Sequence, residues 1–533
     1  MQKRVQKTSE TSRRRNILFL MSDQHNPDYV GYAGKGIIQT PNIDRIAEGT
    51  AFMNAVSPNP VCTPARCALL TGKYTHQLNM LTMSGDLSPQ HPTYARALQE
   101  AGYYTAGIGK FHIFQGFQWY LERGMGHDLA GLNEEMRKFG FDYIWEAAGK
   151  GLSQWNYCDY MKYLDDKGLM EAYRDEVERT SLMGHPQPPV PSILEDEDHV
   201  EVQIGNHIIE AIRNRPKDKP FCVFGSFLSP HPMIDPPAKY LEAEEVRYDT
   251  ERFIEQEKPM RRSVRLTDEL RRGWSENRAA YRALIRLVDD QIGRIFQVLQ
   301  EEGLWDDTVI IYTSDHGDML GDFGVDGKGL PYRCSAGVPL AIRHPDHLDG
   351  RRIEAPVELT DVTATILDAA GLDVKEAMRI EVPHFLDVIP SRSLMPVVRG
   401  EKERVRDFAF CEYHTWMMIR TDDRKYVLHT DHNMNEREPN EELYDLVADP
   451  DEVRNIAGDP ETADFRRWCR ERILQILTAT PPSCLRWAPI RADEGHRGNY
   501  PGIAPYFPRK QVIREMKEAR ESYLMKKWGK TKG

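Results

Sequence analysis

The sequence contains no long apolar run. Residues 1–15 are polar and basic, and only about six apolar residues around Ile17–Met21 follow before Asp23. A signal-peptide core needs ~7–15 apolar residues and a membrane span needs ~20. We therefore expect a cytoplasmic protein with no membrane partner.

Cysteine is also sparse. The eight cysteines are scattered along the chain, and no two of them form a Cys-x-x-Cys pair. This spacing argues against a zinc knuckle and against a disulfide framework, and it predicts reduced thiols. Internal repeats and low-complexity tracts are absent from the sequence as well.

Positive charge is in deficit. The chain has 70 Lys and Arg residues against 82 Asp and Glu residues, which gives a formal net charge of -12. Nucleic-acid binding needs a basic surface that neutralises phosphates, so no nucleic-acid partner is expected. Any anion that this protein handles must be bound locally, against the overall field.

The chain has 533 residues, of which 40% are hydrophobic, and this length suits one large domain and a smaller one. Short apolar runs alternate with amphipathic segments, which predicts a doubly wound α/β core around a mostly parallel sheet. The predicted strands are Asn16–Ser22, Tyr103–Ile108, Phe221–Phe227 and Thr308–Thr313, and the predicted helices include Thr40–Ala47, Thr93–Ala101 and Tyr281–Glu301.

The domain prediction divides the chain into a polar tail at 1–15, a large domain at 16–400 and a smaller domain at 401–533. Residues 113–200 lack clear strand periodicity and are interpreted as an insertion over the sheet edge. The smaller domain is predicted to contain an antiparallel sheet and a helix, from the runs Phe408–Glu412, Thr415–Ile419, Lys425–His429 and Phe465–Leu477. A charged helix at Gln511–Trp528 is expected to be a packing or subunit-contact arm, which leaves a homo-oligomer open.

Cys62 begins the run Cys-Thr-Pro-Ala-Arg at the predicted start of a helix, with Pro64 in the first turn. Helix N-termini favour anions, and Arg66 adds a cation one turn further on. A nucleophile, an anion-favouring helix end and an arginine together suit attack on an anionic ester. A single cysteine, taken alone, is more often a small buried apolar residue.

The run Pro60–Gly72 resembles the signature of the type I sulfatases, which are formylglycine-dependent members of the alkaline phosphatase superfamily. Gly102–His112 resembles the second signature of that family. The likeness continues through Ser229–Pro232, Ser314–Gly317 and Glu442–Leu446 and covers about residues 15–460. It implies a large mixed, mostly parallel sheet sandwiched by helices, with a smaller C-terminal antiparallel sheet plus helix.

The resemblance implies that Cys62 is converted to formylglycine by a separate formylglycine-generating enzyme. The hydrate of that aldehyde would attack the sulfur with one hydroxyl and expel the alcohol. Its second hydroxyl would then drive elimination of sulfate, which a simple serine could not do.

The resemblance also implies a divalent cation held by Asp23, Gln24, residue 62, Asp315 and His316. Hard oxygen ligands suit Ca²⁺, whereas a histidine ligand favours Mn²⁺ or another transition metal, so both ions stay open. Many sulfatases carry Asp-Asp and Asp-Asn at these positions. The Gln and His variants resemble the choline sulfatase and phosphonate monoester hydrolase branches.

A cationic shell is implied around the nucleophile. Arg66 would lie beside the nucleophile, and Lys110 and His112 would orient the diol and assist elimination. His231 would contact the sulfate or protonate the leaving oxygen, and Lys328 would also serve the leaving group. Charge stabilisation of the transferred group is the main catalytic effect expected.

These motifs predict a sulfuric ester hydrolase, an arylsulfatase-like enzyme acting on small aryl, sugar or choline sulfates. The alternatives are a phosphonate monoester or phosphodiester hydrolase and a non-catalytic binder of sulfated ligands. His76 is open between substrate contact and a structural role. The insertion's aromatic residues either stack on substrate or form a small core of their own. They are Trp119, Tyr120, Trp145, Trp155, Tyr157 and Tyr160.

Overall fold

The computed structural model describes residues 14–83, 85–115, 129–130, 133–154, 156–181, 183–255, 263–379, 388–430 and 440–482. The strands, in chain order, are β1 Asn16–Asp23, β2 Thr50–Phe52, β3 Ala55–Val56, β4 Gly85–Asp86, β5 Tyr104–Gly109, β6 Phe114–Gln115, β7 Tyr143–Glu146, β8 Phe221–Pro230, β9 Thr308–Ser314, β10 Gly337–Val338, β11 Leu340–Arg343, β12 Arg351–Ile353, β13 Val357–Glu358, β14 Ala409–Tyr413, β15 Trp416–Arg420, β16 Arg424–His429 and β17 Glu441–Asp445.

The helices, in chain order, are α1 Pro41–Ile46, α2 Cys62–Thr71, α3 Tyr94–Glu100, α4 Asn133–Arg137, α5 Asp159–Asp166, α6 Met170–Ser181, α7 Val200–Arg213, α8 Ala238–Glu242, α9 Asp268–Glu301, α10 Arg333–Ala336, α11 Asp361–Ala369, α12 Val374–Ala377, α13 Met395–Val398 and α14 Ala463–Ala479. None of these helices is both long enough and apolar enough to cross a membrane.

An eight-stranded sheet with the order β12-β2-β11-β9-β1-β8-β5-β7 is the largest sheet in the described part of the chain. The five strands from β9 to β7 run parallel to one another, whereas β11 runs antiparallel to both β9 and β2. The predicted mixed, mostly parallel sheet is therefore confirmed.

Strand β1 shows why the sheet is covered on both faces. All its residues are buried. Ile17, Phe19 and Met21 pack into one apolar cluster, which includes residues of α2, α3 and α11, whereas Leu18 and Leu20 pack into another with α1, α7 and α9. Alternate side chains of a strand point to opposite faces, so a continuous apolar run needs helices on both sides.

The long helix α9 begins earlier than its apolar pattern predicts, at Asp268 rather than Tyr281. Thr267 caps it, because its side chain accepts a hydrogen bond from the Leu270 amide. The added turns are polar, and ion pairs such as Arg278 with Asp322 hold them in place. Because their contacts are polar, these turns show no apolar periodicity in the sequence.

Residues 113–200 lack clear strand periodicity, yet they include the two-residue β6 and the four-residue β7, which pairs in parallel with β5 at the sheet edge. Their interpretation as an insertion stays a prediction. Four residues are too few to give a clear period. Among the aromatic residues in the described part of this region, Trp145 and Tyr160 are buried in the core and lie edge to face at 6.2 Å. Trp119, Tyr120 and Trp155 lie outside the described residues.

The smaller sheet has the order β14-β15-β16-β17 and is antiparallel throughout. Helix α14 packs against it through Cys469 and Ile473. The sequence predicts the first three strands and the helix but not β17, whose five residues carry three charges and show little β pattern. The predicted helix at 511–528 lies outside the described residues.

Candidate active site

Four adjacent parallel strands bring the predicted site residues to one edge of the sheet. Asp23 ends β1, and Asp315 directly follows β9. Lys110 directly follows β5, and His231 directly follows β8. The carboxyl ends of parallel strands open onto a common crevice, so residues far apart in sequence converge there.

Cys62 is the first residue of α2 and is 1% exposed. Val61 before it is extended, and Pro64 lies in the first turn, where its missing N–H costs no hydrogen bond. The Lys328 ammonium donates to the Cys62 sulfur at 3.1 Å. The helix end thus presents residue 62 to a buried cation.

The environment of Cys62 favours an anion. Burial alone would raise the pKa of the thiol, but the charges of Lys110 and Lys328, together with the nearby His112 and His231, lower this pKa well below its ordinary value. A group held anionic in a buried, cationic setting is a candidate nucleophile.

Four possible metal-ligating atoms, from Asp23, Cys62, Asp315 and His316, lie within 4.8 Å of one another. Nδ1 of His316 lies 2.9 Å from the Gly317 carbonyl, to which it donates, so Nε2 is left as the acceptor. That Nε2 lies 3.7 Å from Asp315 and 3.9 Å from Asp23. This donor set fits a divalent cation.

Two buried oxygen atoms strengthen this fit. Oδ1 of Asp23 and Oε1 of Gln24 have no hydrogen-bond partner within the part of the chain that the structure describes. Buried polar atoms normally find partners, and a metal ion between neighbouring oxygens would supply one. Asp23, Gln24, Asp315 and His316 would therefore hold the ion.

The carboxylates of the site are fixed by donors around them. Asp315 accepts from the Gln24 amide at 3.0 Å, from its neighbour His316 at 2.9 Å and from Arg66 Nε at 2.7 Å. Asp23 accepts from Lys110. Burial acts to raise the pKa of Asp23, but Lys110, His231 and Arg66 together lower it well below its usual range.

Arg66 links the helix to the sheet. Its Nη1 donates to the Lys110 carbonyl at 2.6 Å and to Ser226 Oγ, in β8, at 2.8 Å. Its Nη2 lies 3.7 Å from Asp23 and has no hydrogen-bond partner among the described residues. One donor of this guanidinium is therefore available for an anion.

His112 has a defined tautomer. Its Nε2 lies 2.7 Å from the Ala148 carbonyl, which only accepts, so Nε2 carries the proton and Nδ1 does not. Burial and the nearby Lys110 lower the pKa of His112 to about 4. The ring is neutral at pH 7, and its unprotonated Nδ1 has no hydrogen-bond partner among the described residues, which leaves it available as a base.

Gly109 sets the position of Lys110. Its φ is +96°, and a Cβ atom there would lie 1.9 Å from the Ser226 carbonyl oxygen. Only glycine allows this left-handed backbone and this close approach of two strands. The chain can then turn so that Lys110 reaches Asp23.

His76 lies in a different setting. Its Nδ1 lies 2.9 Å from Glu412 in β14, and its Nε2 lies 2.8 Å from the Thr480 carbonyl after α14. Both ring nitrogens thus have partners in the C-terminal part of the chain. This is a structural link to β14 and to the end of α14, whereas a contact with substrate and the division into domains stay predictions.

The sequence reasoning missed Asp318, which accepts a hydrogen bond from Gln24 Nε2 at 2.6 Å. It comes two residues after His316, in the run Asp-His-Gly-Asp. The sequence clue was a second acidic residue three positions after Asp315. Its contact with Gln24, however, depends on how the loop folds.

Comparison with known proteins gives consistent matches over most of the chain. Residues 15–372 match the family model described as Sulfatase, and residues 321–479 match one described as N-sulphoglucosamine sulphohydrolase, C-terminal. The chain is 28% identical over 487 residues to an arylsulfatase of Clostridium perfringens, covering 87% of this chain and 94% of the relative.

A further relative is an N-acetylglucosamine-6-O-sulfatase of Bacteroides thetaiotaomicron, 29% identical, with 88% of this chain and 87% of the relative covered. Among solved structures, a phosphonate monoester hydrolase from Silicibacter pomeroyi aligns with a TM-score of 0.68 at 21% identity, covering 88% of this chain and 96% of that chain. At this identity the structural likeness shows the fold alone.

Proposed function

The chain belongs to the sulfatase family and is an enzyme that hydrolyses sulfate esters; we propose that its substrates are small sulfated sugars and that residue 62 acts as formylglycine. The resemblance drawn from the two sequence motifs is thus confirmed at the level of the family. The maturation step requires a formylglycine-generating enzyme as a partner.

One observation carries this proposal. Around Cys62, the structure gathers Arg66, Lys110, His112 and Lys328 within a chain whose formal net charge is -12. Such a concentration of buried donors against the overall field suits a sulfate group, whose charge is shared among its outer oxygens.

The position of each side chain indicates its role in the reaction. Arg66 Nη2 and the Lys110 ammonium are placed to hold sulfate oxygens against the sheet edge. Neutral His112 accepts a proton at Nδ1 from a hydroxyl on residue 62, and its Nε2 proton remains with Ala148. Lys328 donates to the leaving oxygen, which needs a proton as the ester bond breaks. His231, whose Nδ1 donates to the Pro232 carbonyl, lies close to residue 62 and would contact the sulfate.

The metal and the modified residue add chemistry that the side chains do not supply. A bound divalent cation would polarise a sulfate oxygen and lower the pKa of the nucleophilic hydroxyl. We propose one ion, Ca²⁺ or Mn²⁺, held by Asp23, Gln24, Asp315 and His316. Formylglycine at position 62 would provide the second hydroxyl that releases sulfate.

The proposal of a sugar substrate rests on the connection between β14 and β15. The Glu412 amide donates to the Pro58 carbonyl at 3.0 Å, shortly before Cys62. The Trp416 indole donates to the Gly329 carbonyl at 3.2 Å, next to Lys328. This connection, which we name the rim hairpin (Tyr413–Trp416), therefore lies next to the segments that carry Cys62 and Lys328.

Two partly buried rings of the rim hairpin, Tyr413 and His414, lie 4.2 Å apart. Their aromatic faces suit the apolar face of a pyranose ring, and one relative at 29% identity is an N-acetylglucosamine-6-O-sulfatase. Another relative at 29% identity is a choline sulfatase, so choline sulfate is the alternative that the assays below compare.

A phosphonate monoester or phosphodiester hydrolase is the second candidate, because Gln24 and His316 resemble the ligands of that branch. Lys110 and His112, within a full second signature, favour sulfate. The binding-only hypothesis is set aside, since the chain is a sulfatase. The cytoplasmic location and a homo-oligomer stay predictions from the sequence.

Parallel assays test the proposal. We expect kcat/KM to be highest for N-acetylglucosamine 6-sulfate, then 4-nitrophenyl sulfate, then choline sulfate and bis(4-nitrophenyl) phosphate. A preference for the phosphodiester of about tenfold or more would overturn it. Mass spectrometry of the peptide around Cys62 should show a loss of about 18 Da, the conversion of cysteine to formylglycine. A Cys62→Ala variant is the inactive control.

A further inference from the structure

We propose that Asp318 is a positioning residue that turns the side-chain carbonyl of Gln24 toward the metal ion. The inference rests on the metal site of the proposed function and adds a residue to it. Asp318 itself would not touch the ion. It would act by deciding which end of the Gln24 amide faces the site.

The hydrogen bond between the two residues fixes the direction of the amide. Gln24 Nε2 lies 2.6 Å from Asp318 Oδ2, and both side chains are buried. A carboxylate only accepts hydrogen bonds, so the amide nitrogen must face Asp318. Oε1 then faces away from Asp318, and it is the atom without a partner among the described residues.

The backbone of Gln24 leaves only its side chain to be positioned. Its φ is +64°, its amide donates to Asp315 at 3.0 Å and its carbonyl accepts from the Tyr281 hydroxyl at 2.6 Å. These bonds hold the main chain on both sides. The remaining freedom is rotation about the side-chain bonds, and the bond to Asp318 removes it.

Asp318 is itself held in place. Its Oδ1 accepts from the Leu320 amide at 3.0 Å, and its backbone carbonyl accepts from Asn26 Nδ2 at 2.9 Å. Only Oδ2 is directed at Gln24. Asp318 is thus fixed in its loop and holds Gln24, a candidate metal ligand, through one hydrogen bond. Residues that hydrogen-bond to a metal ligand commonly set the orientation of that ligand in this way.

The orientation of the Gln24 amide decides whether a ligand oxygen or a repulsive NH₂ group faces the ion. With Asp318 present, the site offers a carbonyl oxygen to the ion. Without an acceptor at position 318, the amide can rotate by half a turn and present its NH₂ group, which has no lone pair for a cation. Metal affinity should fall although no ligand has been removed.

The test is metal binding by the full-length chain, stripped of metal and titrated with Mn²⁺ and, separately, Ca²⁺ by calorimetry. The Cys62→Ser background keeps a ligand oxygen at position 62, and production without a formylglycine-generating enzyme makes the result independent of conversion. In Asp318→Asn, the Leu320 amide retains the side-chain oxygen as its acceptor, so the new NH₂ group faces Gln24 and draws Oε1 away from the ion. We expect this variant to weaken binding by about tenfold or more, because loss of a ligand's partner typically costs ~10–100-fold in affinity. Circular dichroism and the melting temperature report whether the variant folds.

A reciprocal exchange separates orientation from general damage. In Gln24→Glu/Asp318→Asn, the new amide at position 318 can donate to the new carboxylate at position 24, whose other oxygen stays free for the ion, and the total charge is unchanged. We expect this double variant to bind at least as tightly as the Cys62→Ser parent. Asp326→Asn removes a charge nearby, where the carboxylate faces His185 at 2.8 Å, and it should leave binding within about threefold.

The outcomes distinguish the two levels of the proposal. If the parent binds no divalent cation, the metal site of the proposed function fails and this inference fails with it. If the parent binds but Asp318→Asn binds equally well, only the positioning role is overturned. A loss in Asp318→Asn that the double variant does not restore also overturns it, since the loss would not come from amide orientation.

Discussion

The Lys328 ammonium lies 3.1 Å from the Cys62 sulfur, although the two positions are 266 residues apart in the sequence. The same ammonium lies 3.2 Å from His316 Nε2. Burial acts to lower the pKa of Lys328, but Cys62, Asp23 and Asp315 raise it above its ordinary value. Lys328 is therefore a fixed positive charge beside the nucleophile position.

Replacing Lys328 by Met should lower kcat for 4-nitrophenyl sulfate by about 100-fold or more, the cost of removing one preorganised donor in a buried site. The Met side chain keeps the volume and removes the charge. Steady-state kinetics measure the effect. Lys35→Met, at an exposed position between two glycines, is the matched control and should leave kcat unchanged. Equal activity of both variants would exclude a catalytic role for Lys328.

Gly109→Ala should abolish activity and destabilise the fold by about 3 kcal/mol or more, because it combines left-handed strain with a clash against Ser226. Gly34→Ala separates the two costs. Gly34 has φ of +72°, but nothing lies within 4 Å of its added Cβ, so only ~1–2 kcal/mol of strain is expected. Urea denaturation of both variants checks the difference. Similar losses of stability would show that the clash is relieved.

The sequence predicts best those features that depend on a local pattern of neighbouring residues. The apolar run of β1 specifies a strand buried on both faces, and its end places Asp23 where Asp315 also arrives. Cys62 falls at a helix start because Pro64 follows it. In each case a few neighbouring residues determine the structure.

What the sequence does not predict depends on contacts between distant segments. The start of α9 is set by a cap and ion pairs, and β7 is defined by its pairing with β5. The proposed role of Asp318 depends on its contact with Gln24. The rim hairpin approaches residue 329 from the smaller sheet. No periodicity records such contacts, because they follow from how loops and domains pack.

His76 should make stability depend on pH. Burial acts to lower the pKa of His76, but the hydrogen bond and charge of Glu412 and the Thr480 carbonyl raise it above 6.5. A raised folded pKa means that the imidazolium stabilises the fold fully below the unfolded pKa of about 6.5 and that this contribution is lost as pH rises through the folded pKa. Melting temperatures from pH 5.5 to about 9 measure it.

His76→Asn should remove this part of the pH dependence and destabilise the fold at pH 6 by about 3 kcal/mol, since Glu412 is left as a buried charge without its partner. Glu412→Gln should flatten the same part of the profile. A profile in which the melting temperature falls equally for wild type and both variants between pH 6.5 and 8.5 would contradict the assignment.

The rim hairpin should determine the substrate through KM. Tyr413→Ala and His414→Ala are each expected to raise KM for N-acetylglucosamine 6-sulfate by about 3- to 10-fold, because each removes the binding contribution of one aromatic contact. We expect kcat to change little. The sulfate pocket is untouched, so KM for the smaller 4-nitrophenyl sulfate should change less. Val447→Ala, an exposed position after β17, is the control. Equal KM changes for both substrates would place the hairpin's effect on the sulfate group instead of the sugar, because only the sulfate is common to the two esters.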